Sequence, residues 1–151
     1  MIEMKYIKHI GIYVNNLDIM TIFYQTVFDL IPISTKEKDC GGWLEQLGGE
    51  AGSEIYITKL ITQLGAKNQI GDMIELVQVS EKIDHKNVEV RNMIEPGTTH
   101  IAFGVEDIFN TANRIEKCGG KIVVTPTRRL NGKWFSFARD IENNWLELIQ
   151  I

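Results

Sequence analysis

Between residues 5 and 14 the chain alternates, with Ile10, Ile12 and Val14 on one side and His9, Gly11 and Tyr13 on the other. A period of two marks a strand with one face on a core, and it points His9 away from the aliphatic side. Asn15, Asn16 and Asp18 then offer capping side chains before Ile19, Ile22, Phe23, Thr26, Val27 and Leu30, which follow helical spacing. The spacing predicts a helix of about three turns that ends near Asp29, because Pro32 cannot continue it. Extended segments are predicted over 31–36, 54–62 and 72–80. One short helical turn is expected between the glycine breaks of 41–49, and a loop over 64–71. Residues 81–96 are polar and close on Glu95-Pro96-Gly97, a natural linker. The order then repeats: a strand over 98–105, a helix over 107–118 with Ile108, Ala112 and Ile115 on one stripe, a stop at Gly119-Gly120, and strands over 121–125, 134–139 and 144–151.

The repetition extends to the wording. His9-Ile10-Gly11-Ile12-Tyr13-Val14 returns as His100-Ile101-Ala102-Phe103-Gly104-Val105, and Ile74-Glu75-Leu76-Val77-Gln78-Val79 returns as Leu146-Glu147-Leu148-Ile149-Gln150-Ile151. Self-similarity of this kind predicts two copies of one unit, with recurring residues meeting around a pseudo-twofold axis. Each half reads strand, helix, then three strands, an α+β pattern. The chain is expected to be a single domain, 1–151, of two pseudo-repeats at about 5–80 and 97–151 joined by 81–96. The interval from His9 to Glu75 is 19 residues longer than that from His100 to Glu147. This insertion is assigned to 40–52 and 64–71, where it would lid a cleft.

Composition narrows the classes. The chain has 151 residues, 44% hydrophobic and 24% charged, with three prolines, which describes a globular domain rather than a disordered or fibrous one. No apolar run approaches the roughly 20 residues of a membrane span, and Glu3, Lys5 and Lys8 occupy the start where a signal peptide would be apolar. The reading is cytoplasmic. A net charge of −4 makes nucleic acid and anionic membrane poor partners. Cys40 and Cys118 lack CxxC spacing and read as plain thiols.

The recurring polar residues are two histidines and two glutamates, His9, Glu75, His100 and Glu147. Each His opens the first strand of its half and each Glu lies in the last, so a small sheet brings both to one face. Isolated residues of these types are ordinarily structural or solvated. Here both recur at matching positions, and both glutamates lie inside aliphatic strands where an unpaired charge is costly. Two imidazoles and two carboxylates neutralise a divalent cation, and the N/O set suits zinc, nickel, cobalt, manganese or iron. Open coordination positions would take substrate oxygens, and a carboxylate beside them would act as base for a neighbouring C–H. Arg128 and Arg129 with Lys133 across Asn131-Gly132 form a basic hairpin, which reads either as a solvated tip or as a grip for a substrate carboxylate or phosphate. Tyr13 shares the His9 face, and Trp145, two residues before Glu147, projects to the same side as that glutamate. Both read as pocket or packing residues. His85 has no counterpart in the pattern.

These residues resemble the vicinal-oxygen-chelate superfamily, which includes glyoxalase I, methylmalonyl-CoA epimerase, extradiol dioxygenases and the fosfomycin and bleomycin resistance proteins. The likeness covers essentially the whole chain. It rests on the opening HIGIYV, the helix end FYQTVFDL, GTTHIAF, and the closing FARDIENNWLEL. The last is similar to the family's Asp-Pro-Asp-Gly-Asn turn before a ligand glutamate, with Ile141 and Asn143 departing from it. The resemblance implies paired βαβββ modules forming a curved mixed-sheet cleft. It also implies a divalent metal at His9, Glu75, His100 and Glu147, with Glu147 as principal base, Glu75 opposite it, and a homodimer. Tyr13 stands where glyoxalase I has an arginine that grips glutathione. An acyl-CoA, another thiol adduct or a small hydroxy-keto compound is therefore open as substrate.

The first functional reading is a metal-dependent lyase or isomerase of the glyoxalase I or methylmalonyl-CoA epimerase type, acting on a small molecule. An extradiol dioxygenase would use His9, His100 and Glu147 on iron, but a fourth ligand at Glu75 takes a position that dioxygen and catechol need. The third reading is a metal-free drug- or metabolite-binding protein of the bleomycin-resistance kind.

Overall fold

The computed structural model describes residues 6–80 and 91–151. The chain divides into two compact units, Met1–Ile83 and Asp84–Ile151, and among the described residues each holds one four-stranded sheet. His85 and most of the expected linker lie outside the described residues. So does Lys5, where the first strand was expected to begin.

The first unit runs β1 (Ile10–Tyr13), α1 (Leu17–Phe28), β2 (Ile31–Cys40), α2 (Trp43–Gln46), β3 (Glu54–Ile61), α3 (Gln63–Asn68) and β4 (Met73–Val79). Its strand order is β1-β4-β3-β2, with β1 parallel to β4 and the other pairs antiparallel. The second runs β5 (His100–Val105), α4 (Ile108–Lys117), β6 (Lys121–Arg128), β7 (Trp134–Arg139) and β8 (Trp145–Gln150). The order β5-β8-β7-β6 repeats the first, again with one parallel pair. Both sheets are therefore mixed, and both units are βαβββ, as the sequence pattern leads one to expect. A parallel pair needs a crossover, and the helix with the two middle strands supplies it.

Each helix covers one face of its sheet. Asn16 caps α1 by accepting from Ile19 N, and Asp107 caps α4 by accepting from Asn110 N. In each unit a glutamine of the last strand completes the cap, with Leu17 N donating to Gln78 Oε1 at 2.8 Å and Ile108 N to Gln150 Oε1 at 3.3 Å. The repeated glutamine of the doubled phrase thus satisfies a helix N–H that would otherwise lack a partner. In α4 the expected stripe of Ile108, Ala112 and Ile115 is buried, in a core that also holds Ala138, Leu146 and Leu148.

The stripe on α1 differs from expectation. Leu17, Met20, Phe23, Tyr24 and Val27 are buried, whereas Ile19 and Ile22 are 52% and 62% exposed. Apolar residues surround this helix on several sides, so spacing alone admits two faces. The Leu17 to Gln78 bond and the packing of α1 on β3 and β4 decide between them.

The extra residues of the first unit form two short helices. In α2, Leu44 is buried against Ile55 and Val77, on the sheet face turned away from α1. Residues 64–71 are not the expected loop: Thr62 accepts from Gly65 N and starts α3, which stops at Gln69 in the left-handed region. In the second unit a tight hairpin and a five-residue turn stand at the corresponding connections.

That turn, 140–144, is built on one carboxylate. Asp140, 3% exposed, accepts from Glu142 N, Asn144 N and Asn144 Nδ2, each at 2.9 Å. Asn143 takes φ 69°, a conformation asparagine tolerates better than branched residues do. Asp140→Ala strands three donors beside the start of β8 and is expected to cost about 2 to 4 kcal/mol of stability in chemical denaturation. An unchanged midpoint would show that the turn is held by other contacts.

Candidate functional site

Strand register puts a histidine beside a glutamate in both units. Gly11 pairs with Glu75 across the parallel β1 and β4, and Ala102 pairs with Glu147 across β5 and β8. Each histidine stands two residues before that paired position, so alternation places it on the glutamate's face, away from the helix. His9 Nδ1 lies 3.4 Å from Glu75 Oε1, and His100 Nε2 lies 3.1 Å from Glu147 Oε2.

The two pairs have different surroundings. Glu147 is 6% exposed and faces Phe137 across β7, whose ring stands edge-on to His100 at 5.7 Å. A carboxylate so enclosed needs charged or polar partners. His100 takes one oxygen, and Arg129 Nη2 donates to the other, Oε1. Arg129 lies in the β6–β7 hairpin, where its N donates to Lys133 O, and its guanidinium sits 4.6 Å over the Phe135 ring. Glu75 is more open, and the residue paired with it on β3 is Lys59.

Lys59 escaped the reading of the sequence. Its Nζ bonds Glu37 Oε2 at 2.9 Å, and its pKa is raised by that hydrogen bond first and then by the charges of Glu37 and Glu75. A signal existed, because Ile55, Ile57, Lys59 and Ile61 alternate along one face of β3. A lysine among three isoleucines on a half-covered face calls for an acidic partner.

The remaining candidates are distributed as follows. Tyr13 pairs with Val77 on the His9 face and is 59% exposed. Trp145 pairs with His100, but its indole is held in place: the Arg139 guanidinium lies 4.0 Å over it, and Nε1 donates to Arg91 O at 3.0 Å. The Arg128 guanidinium stacks 5.0 Å over Trp134, and Lys133 is exposed at the hairpin tip. Arg128 and Arg129 also line an open depression of about 570 Å³ with Thr127, Leu130, Asn131 and Phe135.

The His–Glu separations suit neighbouring ligands of one ion. At metal–ligand lengths of about 2.1 Å, donors at tetrahedral or octahedral corners stand about 3.0 to 3.4 Å apart. Both pairs fall within that range. Within each unit, among the described residues, no group of three or more His, Cys, Asp or Glu side chains gathers.

A chain of two βαβββ units, each with a His–Glu pair on the face away from its helix, fits one protein class. The chain belongs to the Glyoxalase/Bleomycin resistance protein/Dioxygenase superfamily, whose model matches residues 6–148. A probable lactoylglutathione lyase of Synechocystis is 42% identical over 55 residues, a stretch that makes up 36% of this chain and 42% of that protein. The chain thus matches less than half the length of that curated relative. Among solved structures, a glyoxalase family protein from Bacillus cereus superposes with a TM-score of 0.79 at 20% identity, covering 98% of this chain and 95% of the other. A glyoxalase I variant from Zea mays gives 0.65 at 23%, covering 96% of this chain and 44% of that one. A fosfomycin resistance protein from Listeria monocytogenes gives 0.63 at 16%, covering 99% and 95%. At these identities the structural likeness establishes the fold. Among the described residues no helix is long and apolar enough to cross a membrane.

The Glu37–Lys59 bond sets a pH window. Its ammonium partner lowers the pKa of Glu37, so the pair stabilises the fold above the ordinary carboxylate value of 4.5 and that contribution fades as pH falls below it. The raised pKa of Lys59 makes the contribution fade again as pH rises past 10.5. The stability difference between wild type and Glu37→Gln is expected to be level across neutral pH and to vanish in acid. A difference that persists unchanged at pH 3 would sever it from this ion pair.

Proposed function

We propose that this protein is a metal-dependent lyase or isomerase that moves a proton next to a carbonyl, in the manner of glyoxalase I or methylmalonyl-CoA epimerase. The observation that carries the reading is the recurrence of a His–Glu pair, at ligand spacing, at the same register position in both units. In this reading His9, Glu75, His100 and Glu147 are the residues that would hold a zinc, nickel, cobalt, manganese or iron ion. The reading takes the chain as one domain that works as a homodimer in a cytoplasmic setting. The ion supplies positive charge for the oxygen that becomes anionic when the adjacent C–H loses its proton.

The chain's own residues do the proton transfer. Glu147 takes the proton at a carboxylate oxygen and returns it to the neighbouring carbon, and Glu75 is the second catalytic carboxylate. Phe135 and Phe137, on the same sheet face, keep bulk water from Glu147. His100 orients the carboxylate through Oε2. Tyr13 on the His9 face and the basic hairpin of Arg128 and Lys133 contact the substrate, an acyl-CoA, a thiol adduct or a small hydroxy-keto compound. Trp145, fixed by Arg139 and Arg91, walls the pocket.

A second reading has one observation in its favour. Arg129 pairs with Glu147 and gives it a cationic partner from the chain itself, an arrangement that suits a metal-free drug- or metabolite-binding protein.

Metal analysis of the purified protein, followed by deuterium incorporation from solvent into candidate 2-oxo and acyl-thioester compounds, separates the two. The enzyme reading expects stoichiometric metal, and a fall in deuterium uptake of about 10² to 10⁴ in Glu147→Gln with metal retained. Protein without metal that still binds ligand after His100→Ala would establish the second reading.

A further inference from the structure

The hairpin that carries Arg129 does more than close a strand pair. Gly132, at φ 82°, lets the tip turn so that Gly132 N donates to Arg129 O and Arg129 N to Lys133 O, both at 2.9 Å. Arg129 leaves the ladder at this point, and its side chain crosses the Phe135 ring to reach Glu147. The guanidinium therefore sits on the carboxylate that the proposed function gives to a divalent ion. Both oxygens of Glu147 are engaged, Oε2 by His100 and Oε1 by Arg129. Glu75 is placed otherwise, since the cation paired with it in register, Lys59, has its ammonium bonded to Glu37.

We propose that Arg129 is an internal counter-cation that competes with the divalent ion for Glu147, so that metal binding has to displace it. The proposal rests on the reading of His100 and Glu147 as metal ligands and makes Arg129 a positioning residue. Two opposing requirements lead to it. A carboxylate 6% exposed is costly without charged or polar partners, and Arg129 supplies Glu147 with a positive one. A guanidinium fixed there would repel a dication, so it has to be able to leave. The side chain of Arg129 is 48% exposed, its backbone is held by the hairpin, and it borders the open depression beside Thr127, Asn131 and Phe135. It can move off Glu147, with Phe135 as its stacking surface.

The test is calorimetric titration of cobalt(II) into the metal-stripped full chain at fixed pH and salt. Arg129→Gln is expected to bind about tenfold more tightly than wild type, a difference of about 1.4 kcal/mol. Arg129→Lys, which keeps the charge and loses the planar fork, is expected to lie between them. In a Glu147→Gln background the Arg129→Gln change is expected to have no effect on cobalt affinity. Equal or weaker binding by Arg129→Gln overturns the proposal and leaves the metal reading standing, as does the same tightening in the Glu147→Gln background. Failure of wild type and all variants to bind cobalt overturns both. A purely structural Arg129 would lower the melting temperature of the metal-free variant without tightening cobalt binding.

Discussion

The parallel pairing of the first and last strands in each unit is the constraint on which the candidate site depends. His9 and Glu75 come from opposite ends of one module, as do His100 and Glu147, and no local turn could bring either pair together. The helix and two intervening strands form the crossover that lets the last strand enter beside the first. Register then does the rest. Because the glutamate pairs with the residue two positions after the histidine, both side chains share the face opposite α1 in the first unit and α4 in the second. A slip of one residue in either pairing would send the glutamate into the aliphatic core.

That geometry creates an electrostatic demand, and the two units meet it differently. In the second unit Glu147 is enclosed by Phe137 and its neighbours, and His100 and Arg129 divide its two oxygens. In the first, Glu75 is more open, and the nearby Lys59 is drawn toward Glu37 on β2. One family fold thus holds two similar His–Glu pairs in unequal surroundings. In the proposed function the enclosed glutamate is the principal base, the role that the family resemblance implies for it.

The insertion adds a further difference. The short helix α2 lays Leu44 on Ile55 and Val77, one alternation along β4 from Glu75. The first unit therefore covers part of its site-bearing face with its own chain. The second carries the basic hairpin at the matching connection, between its second and third strands. Equivalent connections in a duplicated fold are free to diverge because they lie outside the strand ladder that sets the site.

Hydrophobic spacing along each half gave the βαβββ order and the strand alternation, and the doubled phrases singled out the four residues of the two pairs, because patterning and self-similarity are local properties of the chain. Gln78 and Gln150 were visible as a repeat, yet their use as helix caps was not, since a cap of that kind joins residues 61 and 42 positions apart. The buried side of α1 was equally hidden: Ile19 and Ile22 fit a helical stripe as well as Met20 and Tyr24 do, and only contact with the sheet selects one. Helix α3 escaped because six residues give too little periodicity to read. Only the tertiary structure showed that Arg129 belongs to Glu147 and Lys59 to Glu37. Ion pairs form between charges that folding brings close, and their sequence separation carries no trace of that distance.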